Sequence, residues 1–290
     1  MAELPRCYRH PDRETGVSCS ECGRPICPNC MTFGPVGIRC PDHSGKATGT
    51  ARVVQKAQRA SRTRSGLVTT GLIATCVGIY LLQLAGGAPV NGNGGWIFEH
   101  GALFVAGIDS AGNFVGLGEG EWWRLLTAAF LHYGPIHLGM NMLSLWWIGR
   151  PLEDALGPLR YVLLYLVSGL AGSAGALLMD PSKVTVGASG AIFGILGGAI
   201  VLERQRTYVL GGSALTLLVL NLAFTFAVPG ISIGGHLGGL AGGALAILAL
   251  SRFGRRSVVY GRNDLLSLAT FVGIGVVSVA VAYWKVRGYA

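Results

Sequence analysis

Charged side chains are scarce in this 290-residue chain, of which only 13% is charged and 51% is hydrophobic. A soluble globular domain typically has about 25% charged residues, so this composition argues against a chain that is soluble along its whole length. Apolar runs of about twenty residues recur instead, and each is long enough to cross a bilayer as a helix. The composition therefore predicts a polytopic membrane protein.

Acidic residues are the rarer sign of charge: 14 Asp and Glu stand against 23 Lys and Arg, for a formal net charge of +9. Many of the arginines lie beside apolar runs, so orientation in a membrane explains the excess better than binding to nucleic acid. The apolar runs contain neither Asp nor Glu. This absence argues against ion-coupled transport, and against an intramembrane carboxylate that would orient a catalytic histidine.

Cysteine is almost confined to the first 40 residues, which hold six of the seven; Cys76 lies alone in an apolar run, as a buried, inert thiol would. The N-terminal cysteines and two histidines form four pairs of equal spacing: Cys7 and His10, Cys19 and Cys22, Cys27 and Cys30, Cys40 and His43. Eight such ligands suit two tetrahedral zinc ions, which would stabilise a block too short for an apolar core. A disulfide framework is the alternative, and the histidines argue against it.

The spacing of these pairs resembles a B-box-type zinc finger. The resemblance implies cross-brace pairing, in which one ion binds Cys7, His10, Cys27 and Cys30 and the other binds Cys19, Cys22, Cys40 and His43. Sequential pairing is the alternative, and the sequence does not decide between them. We expect residues 1–45 to be a structural or partner-binding zinc domain. Residues 46–65 form a basic linker, for which contact with anionic lipid headgroups is expected rather than contact with DNA.

Seven apolar runs in residues 66–290 predict membrane helices, at 67–85, 125–148, 158–179, 190–202, 208–229, 234–250 and 265–284. The fourth run is too short to cross a bilayer comfortably. Basic residues cluster before the first run and in alternate loops, which predicts a cytosolic N-terminus and zinc domain. The long loop at 86–123 then faces the outside. The expected fold is an all-α polytopic membrane protein preceded by a small zinc-binding domain.

Four polar side chains stand out within these runs: His137 and Asn141 in the second, Ser189 before the fourth, and His236 early in the sixth. Polar groups in a bilayer are unfavourable, so each is a functional candidate. At ~1.5 Å per residue, Ser189 and His236 lie roughly 21 and 22 Å above the cytosolic ends of their helices, and His137 lies at a similar depth. The three runs therefore present a hydroxyl, imidazoles and an amide in one layer.

Glycines recur at every fourth position beside two of these residues, as Gly190, Gly194, Gly198 and as Gly235, Gly239, Gly243. Small residues at this spacing let two helices approach closely in lipid, so Ser189 and His236 could come within hydrogen-bond reach. A serine beside a histidine base is an activated nucleophile. A helix N-terminus at Ser189, with His137 and Asn141 as donors, would form an oxyanion hole. This combination favours acyl transfer, most simply peptide hydrolysis by a dyad.

Each residue also has a plainer interpretation. A serine in a helix of small residues usually serves packing, and a lone intramembrane histidine more often forms a hydrogen bond between helices. The shared depth of the polar residues and the two glycine series together favour a catalytic site.

Four motifs resemble those of the rhomboid intramembrane serine proteases, and the resemblance as a whole covers residues 66–290. They are Gly187-Ala188-Ser189-Gly190, His132-x4-His137-x3-Asn141, Gly235-His236-x2-Gly239-x3-Gly243, and Glu121-Trp122-Trp123-Arg124. The resemblance implies a six-helix core with a seventh, C-terminal membrane helix. The sixth-helix motif departs from the family in one place, since Gly235 stands where alanine is common.

The same resemblance implies roles for individual residues. Ser189 would be the nucleophile, His236 the general base, and His137 and Asn141 the oxyanion-hole donors. Phe193 would pack beneath His236, and His132 would be structural, near the outer end of the second helix. No metal would be needed for catalysis.

The substrates implied by the resemblance are single-span membrane proteins cut near the outer face of the cytoplasmic membrane. Residues 228–234, broken by Pro229 and Gly230, form either a mobile cap or an ordinary tight connection. A non-catalytic membrane adaptor and a transporter are the rival functions. The zinc domain would recruit a cytosolic partner, regulate the protease or stabilise the N-terminus.

Overall fold

The computed structural model describes residues 4–33, 37–43, 66–253 and 265–289. The chain divides into two compact units, Met1–Arg64 and Ser65–Ala290. The expected basic linker at 46–65 lies outside the described residues.

The described residues of the N-terminal unit, 4–33 and 37–43, have almost no regular secondary structure. Strands β1 (Thr32–Phe33) and β2 (Ile38–Arg39) form an antiparallel pair, and Pro28–Cys30 is a single 3-10 turn. Its buried core consists of five of the cysteines and one aliphatic side chain, Ile26. So small an apolar core cannot stabilise a fold alone, and the cysteine groups at its centre have to supply the remainder.

Asp42 joins separate segments of this unit through polar contacts. The carboxylate accepts a hydrogen bond from the Tyr8 hydroxyl at 2.9 Å and pairs with Arg9 at 2.6 Å and Arg24 at 3.2 Å. The Tyr8 hydrogen bond, with help from the two guanidinium groups, holds the pKa of Asp42 below its ordinary value. The acid is therefore ionised at neutral pH, and joins three positions that are distant in the sequence.

The second unit is helical. Its helices are α1 (Leu67–Ala85), α2 (Trp96–Gly101), α3 (Arg124–Thr127), α4 (Pro135–Ser144), α5 (Arg150–Leu156), α6 (Pro158–Met179), α7 (Ser189–Arg204), α8 (Ala214–Ala227), α9 (Ile233–Phe253) and α10 (Leu265–Val286). Between α2 and α3, strands β3 (Gly107–Ile108) and β4 (Phe114–Val115) form a short antiparallel hairpin. Within the described part of the chain, α1, α6, α9 and α10 are long and apolar enough to cross a membrane, and α8 is a shorter apolar helix. The chain is an integral membrane protein.

The second predicted helix, at 125–148, is wrong in its bounds. After α3 and a 3-10 turn at Ala128–Phe130, the chain is extended at Leu131, and α4 begins only at Pro135. Proline has no N–H to donate and its fixed φ suits the first turn of a helix, so it starts α4 rather than interrupting a longer helix. A π-helical turn at Leu145–Gly149 then joins α4 to α5, which continues past the predicted end to Leu156.

The fifth predicted helix, at 208–229, is too long. Its N-terminal part is a loop because the Glu203 carboxylate at the end of α7 accepts backbone N–H groups from Leu210 at 3.3 Å, Gly212 at 3.0 Å and Ala214 at 3.2 Å. A carboxylate at a helix N-terminus satisfies free donors and interacts favourably with the helix dipole. Glu203 therefore fixes the start of α8 at Ala214.

A second carboxylate, which is buried, caps α1. Glu153 on α5 is 3% exposed and accepts the backbone N–H groups of Val68 at 2.9 Å and Thr69 at 2.8 Å, together with the Thr69 hydroxyl at 2.7 Å. Three hydrogen bonds compensate for burying the charge and join the first membrane helix to the helix pair α4–α5.

Arg124 anchors the loop before α3. Its guanidinium is fully buried, pairs with Glu121 at 2.5 Å, and donates to the backbone carbonyls of Glu99 at 2.7 Å and Ala102 at 2.8 Å. An uncompensated buried charge would be strongly destabilising, and here every bond fastens part of the loop at 86–123. The Glu121–Arg124 sequence motif therefore corresponds to this buried ion pair and to the hydrogen bonds that hold the loop.

Helix α9 is the centre of the membrane unit and packs most extensively against α7 and α6. Its glycines lie directly on the backbones of those helices. A Cβ atom on Gly239 or Gly243 would overlap the carbonyl oxygens of Gly190 and Gly194, and one on Gly238 would overlap that of Ala171. The two predicted glycine series therefore do face each other, and α6 makes a third partner that the sequence did not indicate.

We expect Gly239→Ala to destabilise the protein, because the added methyl group meets backbone atoms that cannot rotate away. Overpacking of this kind typically lowers the free energy of unfolding by about 1–3 kcal/mol. Gly78→Ala in α1 is the matched control, since a Cβ there has no neighbour within 4 Å. Thermal unfolding in detergent should show a lower Tm for Gly239→Ala alone; equal Tm values would contradict this account of the packing.

Candidate active site

Ser189 is the first residue of α7 because the chain before it is held away from helical geometry. Thr185 forms an antiparallel bridge with Leu103, through hydrogen bonds of 2.8 and 3.0 Å, and the Gly187 N–H donates to the Ala128 carbonyl at 2.9 Å. These bonds, with the φ of +126° at Gly187, hold the chain up to Gly187 outside the helix, and Ala188 is the N-cap of α7. The first N–H groups of α7 have no partner within their own helix, as at the start of any α-helix.

The structure brings the serine and the sixth-run histidine together. Ser189 Oγ lies 2.8 Å from His236 Nε2, which is a normal hydrogen-bond distance. The contact follows from the glycine packing, since Gly190 and Gly235 are the residues beside the pair and a Cβ on Gly190 would lie 3.2 Å from the Gly235 carbonyl oxygen. His236 is buried and Ser189 is partly exposed, so the hydroxyl is the accessible member of the pair.

Phe193 supports the imidazole from one side. The rings of Phe193 and His236 are stacked, with centroids 4.1 Å apart and planes 16° from parallel. Phe193 lies one turn below Ser189 on α7, so one helix face carries both the hydroxyl and the aromatic ring. The position of Phe193 is the one that the sequence motif implied.

A hydroxyl on α8 meets the other imidazole nitrogen, and the sequence analysis missed it. Thr225 Oγ1 lies 2.7 Å from His236 Nδ1, and the same hydroxyl donates to the Asn221 carbonyl at 2.7 Å. Asn221 and Thr225 are two polar residues four positions apart in an apolar run, and that spacing was the available signal. It does not show which neighbouring helix the polar face meets.

The two proposed oxyanion-hole residues lie on α4 and line the same cavity as Ser189. The His137 ring lies against Gly187: a Cβ there would be 2.7 Å from Cε1 and 2.8 Å from Nε2, and the φ of +126° is a conformation that favours glycine. The amide nitrogen of Asn141 donates to the His137 carbonyl at 2.9 Å. The amide group carries a second hydrogen in addition to the one in this bond.

His132 lies in the connection before α4, rather than at the outer end of a helix as expected. Its ring is fully buried, 5.1 Å from the His137 ring, and its backbone exchanges hydrogen bonds of 3.4 Å with the Gln83 side chain. The displacement follows from the late start of α4 at Pro135. A supporting role for His132 stays a prediction.

A cavity of about 760 Å³ opens above Ser189 and His236. Its walls come from α4, α7, α8 and α9 and from the segment at 228–232, where Lys183 Nζ donates to the Ile231 carbonyl at 3.3 Å. Exposed apolar side chains border it on two helices, Ile136 and Met140 on α4 and Phe224 on α8. The cavity is large enough for a short peptide segment, and Ser189 and His236 both line it.

The N-terminal unit contains two groups of potential metal ligands, one of Cys7, His10, Cys27 and Cys30 and the other of Cys19, Cys22, Cys40 and His43. This is the cross-brace arrangement; the sequential pairing is not observed. In each group the ligand atoms lie within 4.8 Å of one another.

The distances in these groups suit a tetrahedral ion. His10 Nδ1 lies 3.8, 3.4 and 3.3 Å from the sulfurs of Cys7, Cys27 and Cys30, and Cys40 Sγ lies 3.8 Å from Cys22 Sγ and 3.2 Å from His43 Nδ1. Tetrahedral zinc bonds of about 2.3 Å to sulfur and 2.0 Å to nitrogen separate the ligands by about 3.5–3.8 Å. All four ligand positions of each group are protein atoms, which is typical of a structural site.

Comparison with known proteins gives a consistent result. A Rhomboid domain model matches residues 119–253. The chain is 40% identical to "Rhomboid protease GluP" of Bacillus subtilis over 166 residues, which cover 54% of this chain and 32% of GluP. It is 37% identical to "Putative rhomboid protease YdcA" of the same organism over 148 residues, 49% of this chain and 74% of that protein. It is also 40% identical to "RHOMBOID-like protein 4" of Arabidopsis thaliana over 130 residues, 43% of this chain and 33% of that protein.

Proposed function

Since the chain belongs to the rhomboid family, we propose that it is an intramembrane serine endopeptidase that uses Ser189 and His236 as a catalytic dyad. The observation that carries the proposal is the 2.8 Å contact between Ser189 Oγ and His236 Nε2, two residues that line one cavity. A serine within hydrogen-bond reach of a histidine base has the geometry of an activated nucleophile.

The reaction follows from this pair. His236 Nε2 accepts the Ser189 proton as Oγ attacks the carbonyl carbon of the scissile peptide bond. The tetrahedral intermediate collapses, the protonated histidine donates its proton to the leaving amine, and an acyl-enzyme remains. A water molecule then gives a proton to His236 and attacks the ester, and Ser189 recovers its proton as the second product leaves as a carboxylic acid.

The oxyanion of the intermediate needs donors near Ser189. We assign this role to the free N–H groups at the start of α7 and to the side chains of His137 and Asn141, which line the same cavity. The second amide hydrogen of Asn141 is the one directed to the oxyanion in this assignment. The first hydrogen holds the amide in place through its bond to the His137 carbonyl.

The proposed substrates are single-span membrane proteins with small residues and an unstable helix around the cleavage site. Support comes from the cavity itself, since its borders on α4 and α8 carry exposed apolar side chains suited to a hydrophobic segment. The proposed location is the cytoplasmic membrane, with the N-terminus in the cytosol and the cavity open to the outer face. The alternation of basic loops supports this orientation, and basic residues beside the helices would contact membrane lipid.

For the remainder of the chain, we propose a zinc domain at 1–45 that binds two ions, a basic linker at 46–65 and a protease membrane domain at 66–290. The zinc would be structural, holding the N-terminal unit folded, and the dyad would need no metal. Regulation of the protease and binding of a cytosolic protein are the proposed roles of this domain. The complete ligand sets favour a partner-binding role of this domain over catalysis by its zinc ions, because no coordination position is left for a substrate.

The first test is cleavage of a model single-span substrate by purified protein. Ser189→Ala and His236→Ala should each abolish cleavage, because one removes the nucleophile and the other its base. Ser182→Ala and His100→Ala are matched controls, since both residues lie outside the cavity, and both variants should retain wild-type rates. Cleavage by Ser189→Ala would contradict the assignment, and an inactive wild-type protein would favour the non-catalytic adaptor.

A second test measures bound metal. Mass spectrometry of the purified protein should find about two zinc ions per chain, one for each ligand group. Cys30→Ser should lower the zinc content because it removes a ligand, whereas Cys76→Ser, which alters the thiol in α1 that belongs to neither ligand group, should not. A wild-type protein without zinc, or unchanged zinc in Cys30→Ser, would show that these groups do not form the proposed sites.

A third test concerns the cap segment, residues 228–234, which contributes to the cavity wall. Gly230 has a φ of +92°, so Gly230→Ala should strain the turn and change the cleavage kinetics through substrate access. Gly211→Ala in the loop before α8 is the matched control, with a φ of +64° and equally open surroundings. Identical cleavage kinetics in Gly230→Ala and wild type would show that the segment does not control access.

A further inference from the structure

Thr225 is unusual for the helix on which it lies. Of the fourteen residues of α8, only Ala214 and Thr225 are buried, and Thr225 is 3% exposed. The remainder of the helix is exposed or half-buried and mostly apolar. The single polar side chain that α8 buries is therefore the one that contacts His236.

The hydrogen bonds of Thr225 determine which imidazole nitrogen carries the proton. A threonine hydroxyl has one hydrogen, and the Asn221 carbonyl at 2.7 Å can only accept it. The 2.7 Å contact with His236 Nδ1 then requires that nitrogen to donate. In a neutral imidazole the other nitrogen, Nε2, is consequently the acceptor, and it faces Ser189 Oγ at 2.8 Å.

We propose that Thr225 is a positioning residue for His236, holding the imidazole in the tautomer and orientation that catalysis needs. The proposal rests on the dyad assigned above. It places a neutral hydroxyl where a catalytic triad has a carboxylate. The Asn221 carbonyl completes the arrangement, because it accepts the hydrogen bond that the Thr225 hydroxyl donates. The hydroxyl oxygen is then left to accept the hydrogen bond from His236 Nδ1.

This role predicts an effect on the rate of chemistry rather than on substrate binding. When His236 accepts the Ser189 proton, its Nδ1–H becomes part of a cation, and a hydrogen bond to a charged donor is stronger than one to a neutral donor. The Thr225 bond therefore strengthens on the way to the transition state. Removing an interaction of that kind lowers kcat and leaves KM nearly unchanged.

The test compares Thr225→Val, which keeps the branched shape and loses the hydroxyl, with Thr225→Ser, which keeps the hydroxyl. We expect kcat to fall about 10- to 100-fold in Thr225→Val with KM unchanged, and to stay within about threefold of wild type in Thr225→Ser. Thr75→Val is the matched control, since the Thr75 hydroxyl also donates to a carbonyl one turn earlier, at 2.9 Å, but has no histidine partner. A loss in Thr225→Ser as large as in Thr225→Val, or wild-type kcat in Thr225→Val, would overturn the proposal.

The tautomer gives a readout that does not depend on activity. In 15N-histidine NMR spectra of the detergent-solubilised protein, His236 should carry its proton on Nδ1 in wild type and in Thr225→Ser, and should show a mixture of tautomers in Thr225→Val. An unchanged tautomer in a folded Thr225→Val protein would overturn the proposal while leaving the dyad intact. Cleavage by Ser189→Ala would instead refute the dyad, so the two failures are distinguishable.

Discussion

The close approach of the α7 and α9 backbones is the constraint on which the candidate site depends. Gly194 on one helix and Gly239 and Gly243 on the other leave no room for a single added methyl group, and Gly190 leaves very little. In lipid, where apolar burial gives helices little reason to associate, such contacts between small residues supply the packing. Because Ser189 adjoins the start of one series and His236 the start of the other, the same contact that stabilises the helix pair sets the distance between hydroxyl and imidazole.

Other contacts in the membrane unit position Ser189 and His236. The bridge between Leu103 and Thr185 holds the chain before α7 out of the helix, and Ser189 lines the cavity. Buried Arg124 fastens the loop that carries this bridge. Phe193 stacks on one face of the imidazole, and Thr225 meets its far nitrogen. A polar site within an apolar protein is thus held by a few specific contacts, each traceable to one or two residues.

Much of the fold was predictable from the sequence because the apolar runs and their end signals are local. The bounds of α1 and α6 agree with the prediction, and the depth count placed Ser189 and His236 in the same layer. The bounds of the second and fifth predicted helices were wrong because another effect overrode the hydropathy pattern. Pro135 starts a helix that hydropathy alone would begin earlier in the chain. The Glu203 carboxylate binds backbone N–H groups of the loop before α8, so that α8 starts later than hydropathy predicts. Thr225 was missed because hydropathy does not show which helix a polar face meets. The cross-brace grouping depended on a resemblance, since spacing alone allows two pairings.

The most direct measurement of the central claim is covalent labelling of the purified protein with a fluorophosphonate, followed by mass spectrometry to locate the modified residue. Such a probe reacts with a serine whose hydroxyl is activated by a neighbouring base, and ordinary serines are inert to it. The account predicts modification at Ser189, and its loss in His236→Ala. Absence of labelling in the wild-type protein, or equal labelling of Ser189 in His236→Ala, would contradict an activated serine–histidine pair in the cavity.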